Sequence, residues 1–238
     1  MTESPRDEAT ETLYRMELAS NYNAWVFDRA RPHLGENVVD VGAGIGTFTE
    51  MTAAGARRVV AVDPDGRLVS LLRHRLASRA NVVVLHADVA DPSLRRLHSS
   101  FDSALCLNVL EHIEADRDAL GAIRDLLAPG GRLLLLVPAH PRLFGSIDLA
   151  LEHQRRYDKR SLADLLLSVG FRIKLLRYVN PLATAGWLLS GRVVRRRSIP
   201  RAPLRAYDAI VPTLRHLDRL DPPFGLSVWA IADRTAGT

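Results

Sequence analysis

The run Val38-Val39-Asp40-Val41-Gly42-Ala43-Gly44-Ile45-Gly46-Thr47 restricts the fold more than any other feature of the chain. Apolar β-branched residues around one acid give way to glycines at every second position, and these to a helical pattern. Glycines belong where backbone must turn tightly and approach a ligand with no Cβ in the way. The segment therefore reads as a glycine-rich nucleotide turn between a first strand and a helix.

The remainder of the chain supports that placement, because short apolar runs alternate with helical patterns, the signature of a parallel α/β sheet. Strands are expected at Asn37 to Val41, Arg58 to Val62, Val82 to Leu85, Asp102 to Leu107 and Arg132 to Val137. Helices are expected near Thr47 to Ala54, Gly66 to Ser78 and Asp116 to Leu127. Strands apolar on both faces are what burial between two helical layers demands. Beyond Pro138 a polar stretch from Ala139 to Arg160 leads to a helix from Ser161, stopped by Gly170 as a C′ glycine. Strands at Phe171 to Val179 and Leu226 to Ala232 follow. The connection between them, about 45 residues, exceeds an ordinary loop and must hold structure of its own. The expectation is one domain over 1–238, a Rossmann-like, doubly wound sheet of seven strands with the last antiparallel. Its parts are an N-terminal helical lid (1–36), a cofactor core (37–138), an acceptor-side segment (139–170) and a basic insertion (180–225).

The net charge of +5 suggests nucleic acid until it is located. Between Gly170 and Tyr207 stand nine basic residues and no acid, so the rest of the chain carries a net −4. Basicity belongs to one segment. The single Cys106 lies in an apolar run and reads as core. The N-terminus lacks an apolar export signal and no apolar stretch approaches the roughly 20 residues of a spanning helix, so a cytoplasmic location is expected.

Two details set the ligand apart from a dinucleotide. The glycine pattern has Thr47 where a dinucleotide fingerprint would place its last glycine. Asp40 also puts a carboxylate beside the turn, which would oppose a pyrophosphate but favour a ligand bearing an ammonium and a sulfonium. Asp63 ends the second strand where an acid accepts ribose hydroxyls. Asp88 follows the third, suited to an adenine amino group while the backbone at Val89 reads the ring. Ligands of open α/β sheets bind at the carboxyl ends of strands, and the three acids fall there together.

With VVDVGAGIGTF and AVDPD stand HADV, FDSALCLNVLEHI (Phe101 to Ile113) and LLAPGGRLLLLVP (Leu126 to Pro138). In this order the run Asn37 to Pro138 resembles the S-adenosylmethionine (SAM)-binding half of class I methyltransferases. The resemblance implies SAM as cofactor, bound by Asp40, Gly42, Gly44, Gly46, Asp63, Asp88, Val89 and Asn108. It places Asn108 beside the methionine moiety and turns Glu111 and His112 to the cleft. The expected activity is methyl transfer to a small-molecule or lipid-like acceptor, on oxygen or nitrogen.

Methyl transfer from a sulfonium is an in-line displacement, so alignment matters more than any single catalytic group. If a base is used, His153 is the candidate, with Asp148 orienting it and Arg155, Arg156 and Tyr157 holding a polar acceptor. A branch of the family is similar in carrying a His-x-Arg-Arg-Tyr run here. No metal-binding residues are expected. Tyr14, Tyr22, Asn23 and Trp25 are candidates for a lid over the cofactor. Trp187 with Arg192 to Arg197 has the composition of a helix at a membrane interface. Two alternatives stay open: an RNA or other nucleic-acid methyltransferase, with the arginines as phosphate contacts, and a non-catalytic SAM-binding partner protein; an oligomer is also compatible. Asp221-Pro222-Pro223-Phe224 imitates a base-methylating motif but lies too late in the chain, and reads as a turn before the last strand.

Overall fold

The computed structural model describes residues 13–187, 201–214 and 221–235. Its elements are helix α1 (Ser20–Ala30), β1 (Asn37–Val41), α2 (Thr47–Ala53), β2 (Arg58–Asp63), α3 (Gly66–Arg75), β3 (Val82–His86), β4 (Phe101–Leu107), α4 (Asp116–Leu126), β5 (Leu127–Pro138), α5 (Ser146–Ala150), α6 (Lys159–Ser168), β6 (Phe171–Val179), α7 (Pro181–Trp187), α8 (Arg201–Leu214) and β7 (Ser227–Arg234). The strands form one sheet in the order β3-β2-β1-β4-β5-β7-β6. β1 to β5 run parallel, and β7 lies antiparallel between β5 and β6. The strand order reverses at β1 and β4, which opens a crevice at their carboxyl ends.

Strand periodicity divides the sheet residues between two cores. Val39 and Val41 point, with Val60, Val62 and Cys106, into the layer covered by α4 and α6. Val38, Leu105, Leu134 and Trp229 point the other way, against Trp25 and Val26 of α1 and Val211 of α8. Cys106 is fully buried, as its apolar surroundings in sequence require. α4 shows why such a segment is helical: Ala119, Leu120, Ile123 and Leu126 make a buried stripe, with Asp116 and Asp118 in the first turn and Arg124 in the last, each complementing the helix dipole.

Two of the boundary differences have a local physical cause. α6 begins at Lys159, two residues before Ser161, because Asp158 is the N-cap and accepts from the Ser161 N–H at 2.7 Å. β5 begins at Leu127, five residues early, because the chain pairs with Phe101 before passing the Pro-Gly-Gly turn and pairs again from Arg132. Gly170 has φ +87°, as a C′ glycine requires. The insertion contains α7 and α8, while Arg192 to Arg197 lie outside the described residues. Among the described residues no helix is long and apolar enough to cross a membrane.

Candidate active site

The glycine turn is closed by bonds from the second strand. Gly42 N–H and Ala43 N–H both donate to the Val62 carbonyl, and Gly44 N–H donates to Asp63 Oδ2 at 2.8 Å. Asp63 Oδ1 accepts from Asp65 N–H at 2.9 Å, so one buried carboxylate anchors the turn to the start of the next helix. Burial still raises its pKa, against these two bonds. Gly46 has φ +89°, and a Cβ there would meet Leu72 at 2.4 Å. A Cβ on Gly44 would meet only Leu13 within 4 Å, so that glycine borders open space beneath the N-terminal segment.

That space is a cavity of about 500 Å³. One wall is the turn itself, with Gly42, Gly44 and Ile45. Asn108, Glu111 and His112 follow β4 on a second wall, and Leu13, Met16 and Glu17 roof it. Leu182, Ala183, Leu204 and Tyr207, from α7 and α8, close the far side. The roof is clamped by Arg75, whose guanidinium bonds Glu17, Glu50 Oε2 at 2.8 Å and the Ile45 carbonyl at 3.2 Å. Asn23 Nδ2 donates to the Met16 carbonyl at 2.9 Å, tying the roof to α1. α1 has no cap of its own at Ala19; instead Asp208 of α8 accepts from the N–H groups of Tyr22 at 2.8 Å and Asn21 at 3.4 Å.

The residues anticipated from sequence divide between this cavity and its supports. Gly42, Gly44, Asn108, Glu111, His112, His153, Arg156, Tyr22 and Asn23 line it. Asp40 does not: in register with Ala61 and Leu105, it faces the layer of α2, where Thr49 Oγ1 donates to it at 2.6 Å. Burial pushes its carboxyl up to about 7, the Thr49 bond opposing and Asp63 adding to the rise. Gly46, Asp63, Asp88 and Val89 also lie off the cavity, with Asp88 exposed and accepting from Ala90 N–H at 2.8 Å.

On the acceptor side, Asp148 is fully buried behind the wall and takes bonds from His153 Nδ1 at 2.9 Å, Arg156 Nε at 2.7 Å and Gly145 N–H at 2.9 Å. Burial works against its charge, but the bonds from His153 and Arg156 outweigh it and hold the carboxyl below the usual range. His153 stands edge-on to His112, ring centres 4.7 Å apart. His112 opens to the cavity but is crowded by protein, and desolvation, with His153 nearby, lowers its pKa to about 4. Glu111 is 1% exposed, and burial raises it to about 8.

Three expectations need correction. Tyr157 is buried away from the cavity, its hydroxyl donating to Asp116 Oδ2 at 2.9 Å; the core beneath α4 and α6 claims its ring. Arg155 turns outward to Asp116 and to the Glu114 carbonyl. Trp25 packs into the core and not over the cavity, and Tyr14 is exposed outside it. Sequence reading overlooked Glu17, Arg75, Asn180 and Tyr207, the last two joined at 2.6 Å across the far wall. No local pattern marks them, since each acts through residues remote in the chain.

A family model described as "Methyltransferase domain" matches residues 14–176. The tRNA U34 carboxymethyltransferase of Azotobacter vinelandii is 35% identical over 118 residues, 47% of this chain and 36% of that protein. The demethylmenaquinone methyltransferase of Clavibacter sepedonicus is 34% identical over 104 residues, 44% of this chain and 42% of that one. The chain thus matches well under half the length of these curated relatives. Among solved structures, the methyltransferase in complex with the Haloferax volcanii Trm112 activator has a TM-score of 0.69 at 16% identity, covering 99% of both chains. Geranyl diphosphate methyltransferase in complex with SAM has a TM-score of 0.64 at 14% identity, covering 90% of this chain and 85% of that one. Sheet order, glycine turn and the family match agree, and the chain belongs to the class I SAM-dependent methyltransferase family.

Proposed function

We propose that the protein transfers the methyl group of SAM to a small, largely apolar acceptor carrying one polar nucleophilic atom. The observation that carries this reading is the cavity's composition: Phe48, Ile147, Leu151, Leu182, Leu204 and Leu226 offer apolar walls, and polar groups gather at the corner of Glu111, His112 and His153. An acceptor of that make-up buries its body against the walls and presents its polar end to the corner.

The residues fit the cofactor. A Cβ at Gly44 would project into the cavity, and Gly42 and Asn108 border the same space, which suits the methionine end. Asp63, with Asp88 and Val89 beyond it, suits the ribose and adenine at the neighbouring strand ends. When bound, SAM supplies a methyl already activated by its sulfonium. The protein's part is alignment and exclusion of water. The roof of Leu13, Met16 and Glu17 partly covers the glycine turn. His153, its ring fixed through Nδ1 by Asp148, positions the acceptor's nucleophilic atom. Asp40 places its carboxyl one layer behind the turn, where a cation in front favours its ionised form.

A second reading, group transfer to tRNA, is favoured by the names of the curated tRNA U34 carboxymethyltransferases. Against it, Arg172 and Lys174 face Asp233, and Arg177 faces Asp221, which takes three of the nine basic residues out of an unopposed patch. Calorimetric titration of SAM tests the cofactor half: Gly44→Val should weaken affinity at least about 10-fold through side-chain intrusion, and equal affinity in both proteins would remove the assignment. Incubating cell extract with isotopically methyl-labelled SAM tests the other half. Label in the organic-soluble small-molecule fraction is expected, whereas label confined to RNA overturns the acceptor class.

A further inference from the structure

We propose that Glu111, His112 and His153 bind a divalent first-row transition-metal ion, which holds an oxygen donor of the acceptor in place for methyl transfer. The site stands on the geometry of the corner, and only its use in catalysis rests on the function proposed above.

One ligand atom from each of the three residues lies within 4.8 Å of the other two. Ligands about 2.1 Å from a shared ion lie no more than about 4 Å apart, so binding draws the side chains inward by roughly an ångström. His112, which lines the cavity, is the ligand whose ring must shift to make that adjustment. The two segments that carry the ligands are already joined, because Gln154 N–H donates to the Glu111 carbonyl at 2.7 Å.

Two of the three ligands have a feature that an ion would explain. Glu111 is 1% exposed, lines the cavity, and its Oε2 has no hydrogen-bond partner. A buried carboxylate oxygen is costly in that condition, and a cation satisfies it. His153 has Nδ1 engaged by Asp148 at 2.9 Å, so Nε2 is the atom left to ligate. A carboxylate behind a histidine fixes ring orientation and raises the basicity of the outward nitrogen, the usual support for a metal ligand. Asp148 has its charge matched by Arg156 at 2.7 Å, so Glu111 is the carboxylate of this corner that awaits a partner.

Two imidazoles and one carboxylate favour zinc, manganese, cobalt or iron over magnesium and calcium, which prefer oxygen alone. Three protein ligands leave positions open, and these face the cavity where the acceptor is expected. An acceptor with a hydroxyl, or two adjacent oxygens, is the class that such a site takes.

The test uses the full chain stripped with a chelator, then titrated with Co2+ followed by visible absorption and with Mn2+ followed by electron paramagnetic resonance. One ion per chain is expected, with imidazole nitrogen couplings in the Mn2+ spectrum and no displacement by a large excess of Mg2+. Glu111→Gln and His153→Ala should each weaken binding at least about 10-fold, and Asp148→Asn by about 10-fold through ring orientation. Absence of a bound ion, absence of nitrogen coupling, or equal affinity in Glu111→Gln and His153→Ala would overturn the site. Should those variants fail to fold, stoichiometry and nitrogen coupling in the unaltered protein still decide. SAM titrated into the same stripped protein separates the two proposals: SAM binding together with no ion taken up in the Co2+ and Mn2+ titrations leaves methyl transfer standing and refutes the metal, and ion uptake in those titrations with no SAM binding does the reverse.

Discussion

Asp40→Asn isolates the energetic consequence of burying an acid beside the cofactor turn. The side chain is 4% exposed, accepts one short bond from Thr49, and is held at a pKa of about 7 against an ordinary 3.8. Between about pH 4 and pH 7 the folded protein keeps a proton on Asp40 that the unfolded chain has released. Stability therefore falls as pH rises through that window, by up to about 4 kcal/mol in all, and the loss is complete above it. Asparagine has nearly the same shape, can still accept from Thr49, and has no proton to lose. Urea denaturation of both proteins at pH 5 and pH 8 should show the variant's advantage growing by about 3 kcal/mol at the higher pH. The same variant should bind SAM more weakly at pH 8, where the wild-type carboxyl is ionised. Stability differences that stay constant across pH would refute the reasoning, because they would mean that Asp40 titrates alike in the folded and unfolded states.

Gly46→Ala should destabilise the fold by about 3 kcal/mol, the sum of left-handed backbone strain and a Cβ meeting Leu72 at 2.4 Å, and a urea midpoint measures it. Tyr157→Phe should cost about 1 to 2 kcal/mol of stability through the lost bond to Asp116 while kcat is unchanged, which separates its structural role from a catalytic one. Glu17→Gln should weaken SAM binding by less than about 5-fold, since the Arg75 pair it disrupts is partly exposed, and the effect should shrink further at high salt.

What could be read from the sequence was whatever short range determines. The strand of Asn37 to Val41, the glycine turn and the Gly170 stop depend on residues next to one another, and they stand where the pattern puts them. Helix α6 began early because Asp158 caps it ahead of Ser161, and a cap outside the apolar pattern leaves no mark on periodicity. The site was legible only in part. Glycine spacing located the turn, but which face Asp40 occupies depends on register with β2 and β4. Tyr157 and Arg156 are neighbours in a polar run, yet one enters the core and the other lines the cavity, which a one-dimensional pattern cannot separate. His112 and His153 meet only because the segment after α5 folds back over the turn after β4, and the Glu17–Arg75–Glu50 clamp joins three distant segments in the same way.

The bond from Asp208 to the start of α1 has a kinetic consequence. α1 carries the roof over the cofactor turn, and α8 carries part of the acceptor wall, so one carboxylate serves as a latch for both doors. The proposed acceptor, settling against α8, is therefore expected to slow the escape of the cofactor beneath α1, and product-inhibition patterns of an ordered mechanism would show it.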